Sequence, residues 1–215
     1  MDSRRAESFS DGVFAVAITI LVFNLLPIAT PGPLFAHTLL NSSTWPAYVA
    51  YVVSFLTIGI MWINHHALLA QITKVDRQLL VMNLILLMGI VAIPFPTALV
   101  ADHLTGPGAS VAVVTYGLVM IAISVGYASM WLHITAHPEQ LGVRHRMPPR
   151  LASTLRFSAG LGGYVVGTLL GRFGLPVVAL TIYGLLAVYY MFEHLPDPEA
   201  DRDDPAAADG TDGRG

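Results

Sequence analysis

The sequence predicts an all-α integral membrane protein with six transmembrane helices, and three observations support this prediction. Apolar residues make up 54% of the chain and charged residues only 12%, which is unusual for a soluble domain. The apolar residues form six runs separated by turn-like or charged segments. Because one membrane-crossing helix needs roughly 20 residues, the 215 residues hold these spans and leave no room for a separate soluble domain.

The runs define one transmembrane domain, 1–195, followed by a short tail, 196–215. The predicted helices cover 9–28, 45–69, 79–101, 111–134, 151–171 and 175–191. Segments such as PIATPGP and KVDRQ favour turns between the helices, and the two prolines of IPFPT should bend or end the third helix near its outer end. The tail is acidic and rich in Pro and Gly, so we expect it to be disordered in the cytoplasm.

Basic residues predict how the helices are oriented in the membrane. In an arrangement of six spans, Lys and Arg residues from Arg4 to Arg156 fall on one side, and only Arg172 falls on the other. The positive-inside rule therefore predicts that both termini are cytoplasmic. The small net charge of −3 does not indicate a nucleic-acid partner, and the absence of cysteine excludes disulfides and thiolate metal sites. We expect no cofactor.

The first predicted helix begins with a polar foot, RAESFSD, before the chain becomes apolar. One interpretation is helix capping, with Ser8 as the N-cap and Asp11 in the first turn. Capping leaves Arg5 unexplained, because Arg5 and Asp11 point in different directions on a helix. A charge at the edge of the hydrocarbon needs a partner or water. The second interpretation is therefore that each charge reaches toward another helix or another subunit.

The second predicted helix has a polar cluster, WINHH, on the same side of the membrane as the foot. Adjacent histidines diverge on a helix, so His65 and His66 favour interhelical hydrogen bonds over a shared metal ion. His133 and His137 share a helix face, but no carboxylate accompanies them locally. We interpret that pair as part of an interface rather than a metal site.

A stripe of side chains continues from the foot along one face of the first helix. The stripe consists of Gly12, Val16, Thr19, Ile20 and Phe23. It contains small and branched apolar groups and a single hydroxyl. Taken alone, such a stripe favours a face that packs against another helix. A separate stripe of small residues, Ala159, Gly163, Gly167 and Gly171, predicts close helix packing in the fifth helix.

Several segments carry a family resemblance: R-x-x-x-F-S-D followed by GVFAVAITILV, and then WINHH, VDRQLLVMNLILL and IPFPT. In these segments the chain resembles the transmembrane protein 175 family, the lysosomal and endosomal potassium channels and their prokaryotic relatives, and in particular its bacterial branch. The resemblance implies a homotetramer in a bacterial plasma membrane, with the first helix of each subunit lining a central pore. It also implies that potassium is the permeating ion, among monovalent cations.

The resemblance implies roles for the stripe. Val16 corresponds to the narrowest constriction of the family, and Thr19 to its hydroxyl-bearing pore position. Ile20 and Phe23 correspond to further apolar pore positions. Val16 is smaller than the Ile or Leu usual there, and Phe23 and Asn24 stand where Leu and Asp are common.

The resemblance also implies a polar network that fixes the first helix at its cytoplasmic end. Its members are Arg5, Ser10 and Asp11, with Trp62 and His65 or His66. The expected function is a potassium-permeable cation channel with a hydrophobic constriction and passive conduction. The segment SVGYAS lies inside an uninterrupted apolar run, so we expect no carbonyl selectivity filter.

Two other classes of function remain open at this point. A proton- or ion-coupled transporter would use Asp11 and the histidines of the second helix. Asp11 lies near the cytoplasmic edge and the two halves of the chain show no repeat, which disfavours a transporter. No nucleophile and base pair, HExxH or phosphate loop is present, so we expect no enzyme.

Overall fold

The computed structural model describes residues 3–25, 44–143 and 150–192, and its long elements are all helices. The helices are α1 (Ser3–Ile20) with a 3₁₀ extension (Leu21–Leu25), α2 (Trp45–Ala70), α3 (Arg77–Ala92), α4 (Pro94–His103), α5 (Ala109–Ala136), α6 (Pro138–Leu141), α7 (Arg150–Arg172) and α8 (Pro176–Phe192). α1 packs on α2 and α3, while α7 packs on α5 and α8. The predicted tail, 196–215, lies outside the described residues.

Four helical segments of the described chain are long and apolar enough to cross a membrane. They are Ser3–Leu25, Trp45–Ala70, Arg77–His103 and Ala109–Ala136. α8 is apolar but shorter, and it occupies the place of the sixth predicted run, as α7 occupies that of the fifth. The prediction of an all-α membrane protein is confirmed in this form, while the count of six spans stays a prediction.

The capping interpretation of the polar foot is wrong. α1 begins at Ser3, five residues before Ser8, so Ser8 lies inside the helix. Its hydroxyl donates to the Arg4 carbonyl of the preceding turn, at 3.0 Å. The start of α1 is instead tied to the turn after α2, where the Ser3 hydroxyl donates to the Ile72 carbonyl at 3.0 Å. The whole foot is therefore helical, and α1 extends beyond it to Ser3.

The break at IPFPT is confirmed. α3 ends at Ala92 and α4 begins at Pro94, because neither proline can donate a backbone hydrogen bond to the preceding turn. The Ile93 carbonyl accepts bonds from both the amide and the hydroxyl of Thr97, at 3.1 and 2.8 Å. The Pro94 carbonyl accepts a bond from the Asn24 amide at 3.2 Å. The 3₁₀ extension that follows α1 is thereby connected to the break.

A carboxylate that is distant in sequence joins the pair His133 and His137. Asp76 is the N-cap of α3, where it accepts from the Leu79 amide at 2.7 Å, and its other oxygen lies 2.8 Å from His133 Nε2. Burial raises the pKa of Asp76, but the bonds to Leu79 and His133 and the nearby histidine charges lower it below its usual value. Asp76 was not predicted as a partner, because 57 residues separate it from His133 in the sequence.

The glycine stripe of α7 brings neighbouring helices into close contact. A Cβ atom on Gly167 would lie 2.5 Å from a ring carbon of Tyr183, and one on Gly163 would lie 2.7 Å from a methyl group of Leu186. A Cβ on Gly171 would approach Val113 of α5 to 3.2 Å. These approaches are closer than ordinary Cβ contacts, so a larger residue would displace its neighbours, and the predicted packing role is confirmed for the three glycines.

Candidate functional site

α1 has one face that packs inside the chain and one that does not. The packed face has Ser3, Ala6, Ser10, Phe14, Ala17 and Leu21, all of them buried. Their spacing of three or four residues places them on one side of the helix, against α2 and α3. The stripe lies on the opposite side.

The stripe is more exposed than the packed face of α1. Val16 is 52% exposed and Phe23 is 60% exposed, while Gly12 and Thr19 are also exposed and Ile20 is half-buried. A Cβ atom placed on Gly12 would have no contact atom within 4 Å. The exposed members of the stripe therefore have no close packing partner within the described chain. A face of this kind in a membrane protein meets lipid, a second subunit or a pore.

Thr19 provides the hydroxyl of the stripe, and its geometry determines what that group can bind. Thr19 Oγ1 donates to the Val16 carbonyl at 2.9 Å, so its proton is directed back along the helix. The remaining lone pairs of this exposed oxygen are free to accept. An oxygen arranged in this way can contact a cation.

The foot contacts α2 through two side-chain pairs. Trp62 Nε1 donates to Asp11 Oδ1 at 2.8 Å, and His66 Nδ1 lies 2.6 Å from Glu7 Oε1. Glu7 and Asp11 are four residues apart, as are Trp62 and His66, so each pair of positions shares one face of its helix. The two helices therefore meet through two rungs of matching spacing. Glu7 is not among the residues predicted from the sequence, although this spacing could have indicated it.

A buried network connects α1, α2 and α3 behind these rungs. Asn83 Nδ2 donates to Ser10 Oγ at 3.0 Å, and Ser10 Oγ donates to the Ala6 carbonyl at 2.8 Å. This fixes the Asn83 amide so that its oxygen faces His65 Nε2 at 2.7 Å, and His65 must donate there. His65 is fully buried, with its ring 5.3 Å from that of Phe14. Asn83, on α3, was missed because no local pattern connects it to the foot.

The structure brings together most, but not all, of the residues expected in the polar network. Ser10, Asp11, Trp62, His65 and His66 all lie where α1 meets α2 and α3. Arg5 is exposed and makes no hydrogen bond or ion pair with the described part of the chain. Its proposed partner is therefore not within these segments. Among the described residues, no three His, Asp or Glu side chains gather to hold a metal ion.

The segment SVGYAS lies at 124–129 in the continuous helix α5. Its carbonyls take part in helical hydrogen bonding, and Gly126 also accepts from the Ser129 hydroxyl at 2.7 Å. Carbonyls used in this way cannot line a filter as those of an extended loop do. The prediction that this segment is not a carbonyl filter agrees with its helical geometry.

We expect the rung between Asp11 and Trp62 to stabilise the fold without setting ion preference, because Asp11 lies off the stripe. Asp11→Ala removes the acceptor and should lower the free energy of unfolding by about 1 kcal/mol, with Trp62→Phe similar. Asp11→Asn retains an acceptor and should cost less. Thermal unfolding in detergent and the ratio of potassium to sodium flux test this. A stable Asp11→Ala protein with an altered flux ratio would contradict the anchoring role.

Known proteins match this chain over most of its length. The family model for the endosomal/lysosomal potassium channel TMEM175 matches residues 5–94. A potassium channel of Streptomyces collinus is 43% identical over 92% of this chain and 95% of its own length. A potassium channel of Chamaesiphon minutus is 34% identical over 88% of this chain and 93% of its own.

The fold is similar to a solved structure as well. The crystal structure of a lysosomal potassium-selective channel TMEM175 homolog from Chamaesiphon minutus matches with a TM-score of 0.74 and 33% identity. The match covers 88% of this chain and 96% of that one. The similarity therefore includes the later helices and is not confined to the polar foot and WINHH.

Proposed function

The chain belongs to the TMEM175 family, and from this premise we propose that it is a potassium channel that conducts passively. Relatives that match it over almost their whole length are named potassium channels, which argues against the alternative of a coupled transporter. An ion-channel family is also consistent with a protein that is not an enzyme. The single observation that supports the location of the path is the unpacked stripe on α1.

We further propose that four copies surround a central pore, with α1 from each subunit facing the axis. The stripe supports this arrangement, because its exposed side chains have no close packing partner within the described chain and it extends from Gly12 to Phe23 of a helical segment long enough to span a membrane. A ring of Val16 side chains would form the constriction. Ile20 and Phe23 would line the pore on the outer side of this ring. Thr19 would place a hydroxyl in the pore wall.

The chemistry of the stripe fits a channel without a carbonyl filter. A narrow ring of apolar side chains excludes water and opposes the passage of ions, so it can act as a gate by dewetting. Such a ring offers no oxygen atoms in place of the hydration shell of the ion. We therefore expect closure to depend on Val16 and any preference for potassium to depend on oxygen atoms such as that of Thr19.

The contacts behind α1 fit the role of an anchor for the pore helix. The buried network holds the face opposite to the stripe, and the two rungs hold the foot to α2. At the outer end, Asn24 is bonded to the broken third span. A helix held at both ends can present its stripe at a constant distance from the axis. We place the six-span subunit in a bacterial plasma membrane with both termini in the cytoplasm.

Potassium flux from proteoliposomes tests the proposed function. We expect purified protein to dissipate a potassium gradient without saturation at high potassium when a protonophore balances the charge, and without any proton or sodium gradient to drive it. Uptake that saturates and requires a proton or sodium gradient would contradict the channel and support the transporter. Empty liposomes and liposomes with heat-unfolded protein serve as the controls for leakage.

Thr19→Val should lower the preference for potassium or the conductance, because it removes the hydroxyl from the stripe while retaining the shape of the side chain. The hydroxyl proton already bonds the Val16 carbonyl, so the variant removes only the oxygen that could act as a ligand for a passing cation. The matched control is Thr115→Val on α5, whose hydroxyl bonds its own helix in the same way. Unchanged flux and selectivity in Thr19→Val would exclude this oxygen from the path.

A further inference from the structure

A half-open cavity of about 100 Å³ lies inside the subunit, between α2, α5, α7 and α8. Its walls include Met61, Asn64, Tyr127, Tyr164 and Ala187. We propose that this cavity binds one acyl chain of a phospholipid from the leaflet on the WINHH side, with the Asn64 amide donating to the ester carbonyl of that lipid. The cavity lies within one subunit and away from the stripe, so the proposal does not depend on the pore assignment.

The shape of the cavity favours a chain-like occupant. On α2 its walls extend from Thr57 to Leu68, which corresponds to roughly 16 Å along the helix. On α5 they extend from Ile123 to Trp131, or roughly 12 Å. The void is therefore elongated along helices that span the membrane. An acyl chain in a bilayer has this direction, whereas a compact ring compound would fill only part of the length.

The chemistry of the walls favours an apolar occupant over water. The Ser124 hydroxyl donates to the Met120 carbonyl at 2.9 Å, and the Tyr127 hydroxyl donates to the Met61 carbonyl at 2.6 Å. These protons are used within the protein, so the two hydroxyls can only accept from a water, while a buried water needs two to four polar partners. The cavity volume of about 100 Å³ is well above the roughly 10–15 Å³ that one water needs, so a single water would leave most of the cavity empty. An empty void would deprive the walls of dispersion contacts, which methylene groups would restore.

Asn64 distinguishes a lipid from a plain hydrocarbon. It is half-buried in the cavity wall and makes no hydrogen bond with another described residue. An amide at membrane depth is costly without a partner. Asn64 lies six residues before the end of α2 at Ala70, or roughly 9 Å from it. The ester carbonyl of a lipid lies beneath its headgroup and is the acceptor that the lipid itself supplies near this depth.

Photolabelling tests the occupant directly. The full chain is reconstituted with a phosphatidylglycerol that has a diazirine in its acyl chain, and labelled residues are mapped by mass spectrometry. We expect labels on Met61, Tyr127 or Tyr164 in the unmodified protein. Ala187→Leu, which fills the cavity from α8, should remove these labels, while the exposed Leu185 stays labelled. Ala122→Leu, on an exposed position of α5, is the matched control and should retain them.

A second variant keeps the test decisive if Ala187→Leu does not fold. Asn64→Leu preserves the approximate size of the side chain but removes the amide, so it should reduce the rise in Tm that added phosphatidylglycerol produces. Ligands that bind only the folded state raise Tm in this way. The proposal is contradicted if the cavity residues of the unmodified protein are not labelled. It is also contradicted if Ala187→Leu folds and retains their labels, or if Asn64→Leu responds to lipid as the unmodified protein does.

Discussion

Val16→Asn should raise passive cation flux by about tenfold and reduce discrimination between potassium and sodium. Val16 is 52% exposed on a face with no close partner within the described chain, so a ring of four Val16 side chains would present only apolar groups to the path at that level. An amide in each subunit would hold water in the ring and offer oxygen ligands to any cation. A reduction of the barrier by about 1.4 kcal/mol is enough for a tenfold increase in rate.

The control for Val16→Asn is the same substitution at Val125. Val125 lies on α5 with 51% exposure, so the two variants place an equal polar group at an equally exposed position. Val125→Asn should leave flux and selectivity unchanged. Potassium and sodium flux from proteoliposomes provides both quantities. If Val16→Asn assembles and behaves like Val125→Asn, Val16 does not border the path.

Asn83→Leu should destabilise the protein more than any change at the exposed rungs. Asn83 accepts from His65 and donates to Ser10, and all three side chains are buried. Removal of the amide leaves the His65 donor without a partner, at a cost of about 1–3 kcal/mol in the free energy of unfolding. Thermal unfolding in detergent, followed by circular dichroism, measures the loss.

A double variant distinguishes the stability lost with the hydrogen bond from the stability lost through poor packing. In Asn83→Leu with His65→Phe, both members of the pair become apolar and retain similar shapes, so no donor is left unpaired. We expect this protein to be more stable than the sum of the two single changes predicts, since replacing both partners of a buried bond can be nearly neutral. A loss equal to the sum would show that the two residues are not coupled.

Much of the helical arrangement could be predicted from the sequence, because it depends on local properties. Long apolar runs determine where helices lie, and the missing donors of Pro94 and Pro96 determine the break between α3 and α4. The direction of the stripe follows from the period of a helix alone. Its exposure agrees with that period, since the buried positions of α1 fall on the opposite face.

The partners of the polar residues could not be predicted in the same way. Asn83 lies 73 residues from Ser10, and Asp76 lies 57 residues from His133. Which polar groups meet depends on how helices pack, and apolar periodicity does not determine the rotation of a nearly uniformly apolar helix such as α3. Glu7 is an exception, because its spacing from Asp11 matches that of Trp62 and His66.

The central claim is that the stripe on α1 borders the conduction path, and cysteine accessibility tests it most directly. The chain has no cysteine of its own, so a single introduced thiol is the only target. In proteoliposomes, a positively charged methanethiosulfonate reagent should reduce potassium flux through Thr19→Cys and Phe23→Cys. It should not affect Leu21→Cys, which is fully buried on the opposite face. Full flux through modified Thr19→Cys and Phe23→Cys, or equal block of Leu21→Cys, would contradict the claim.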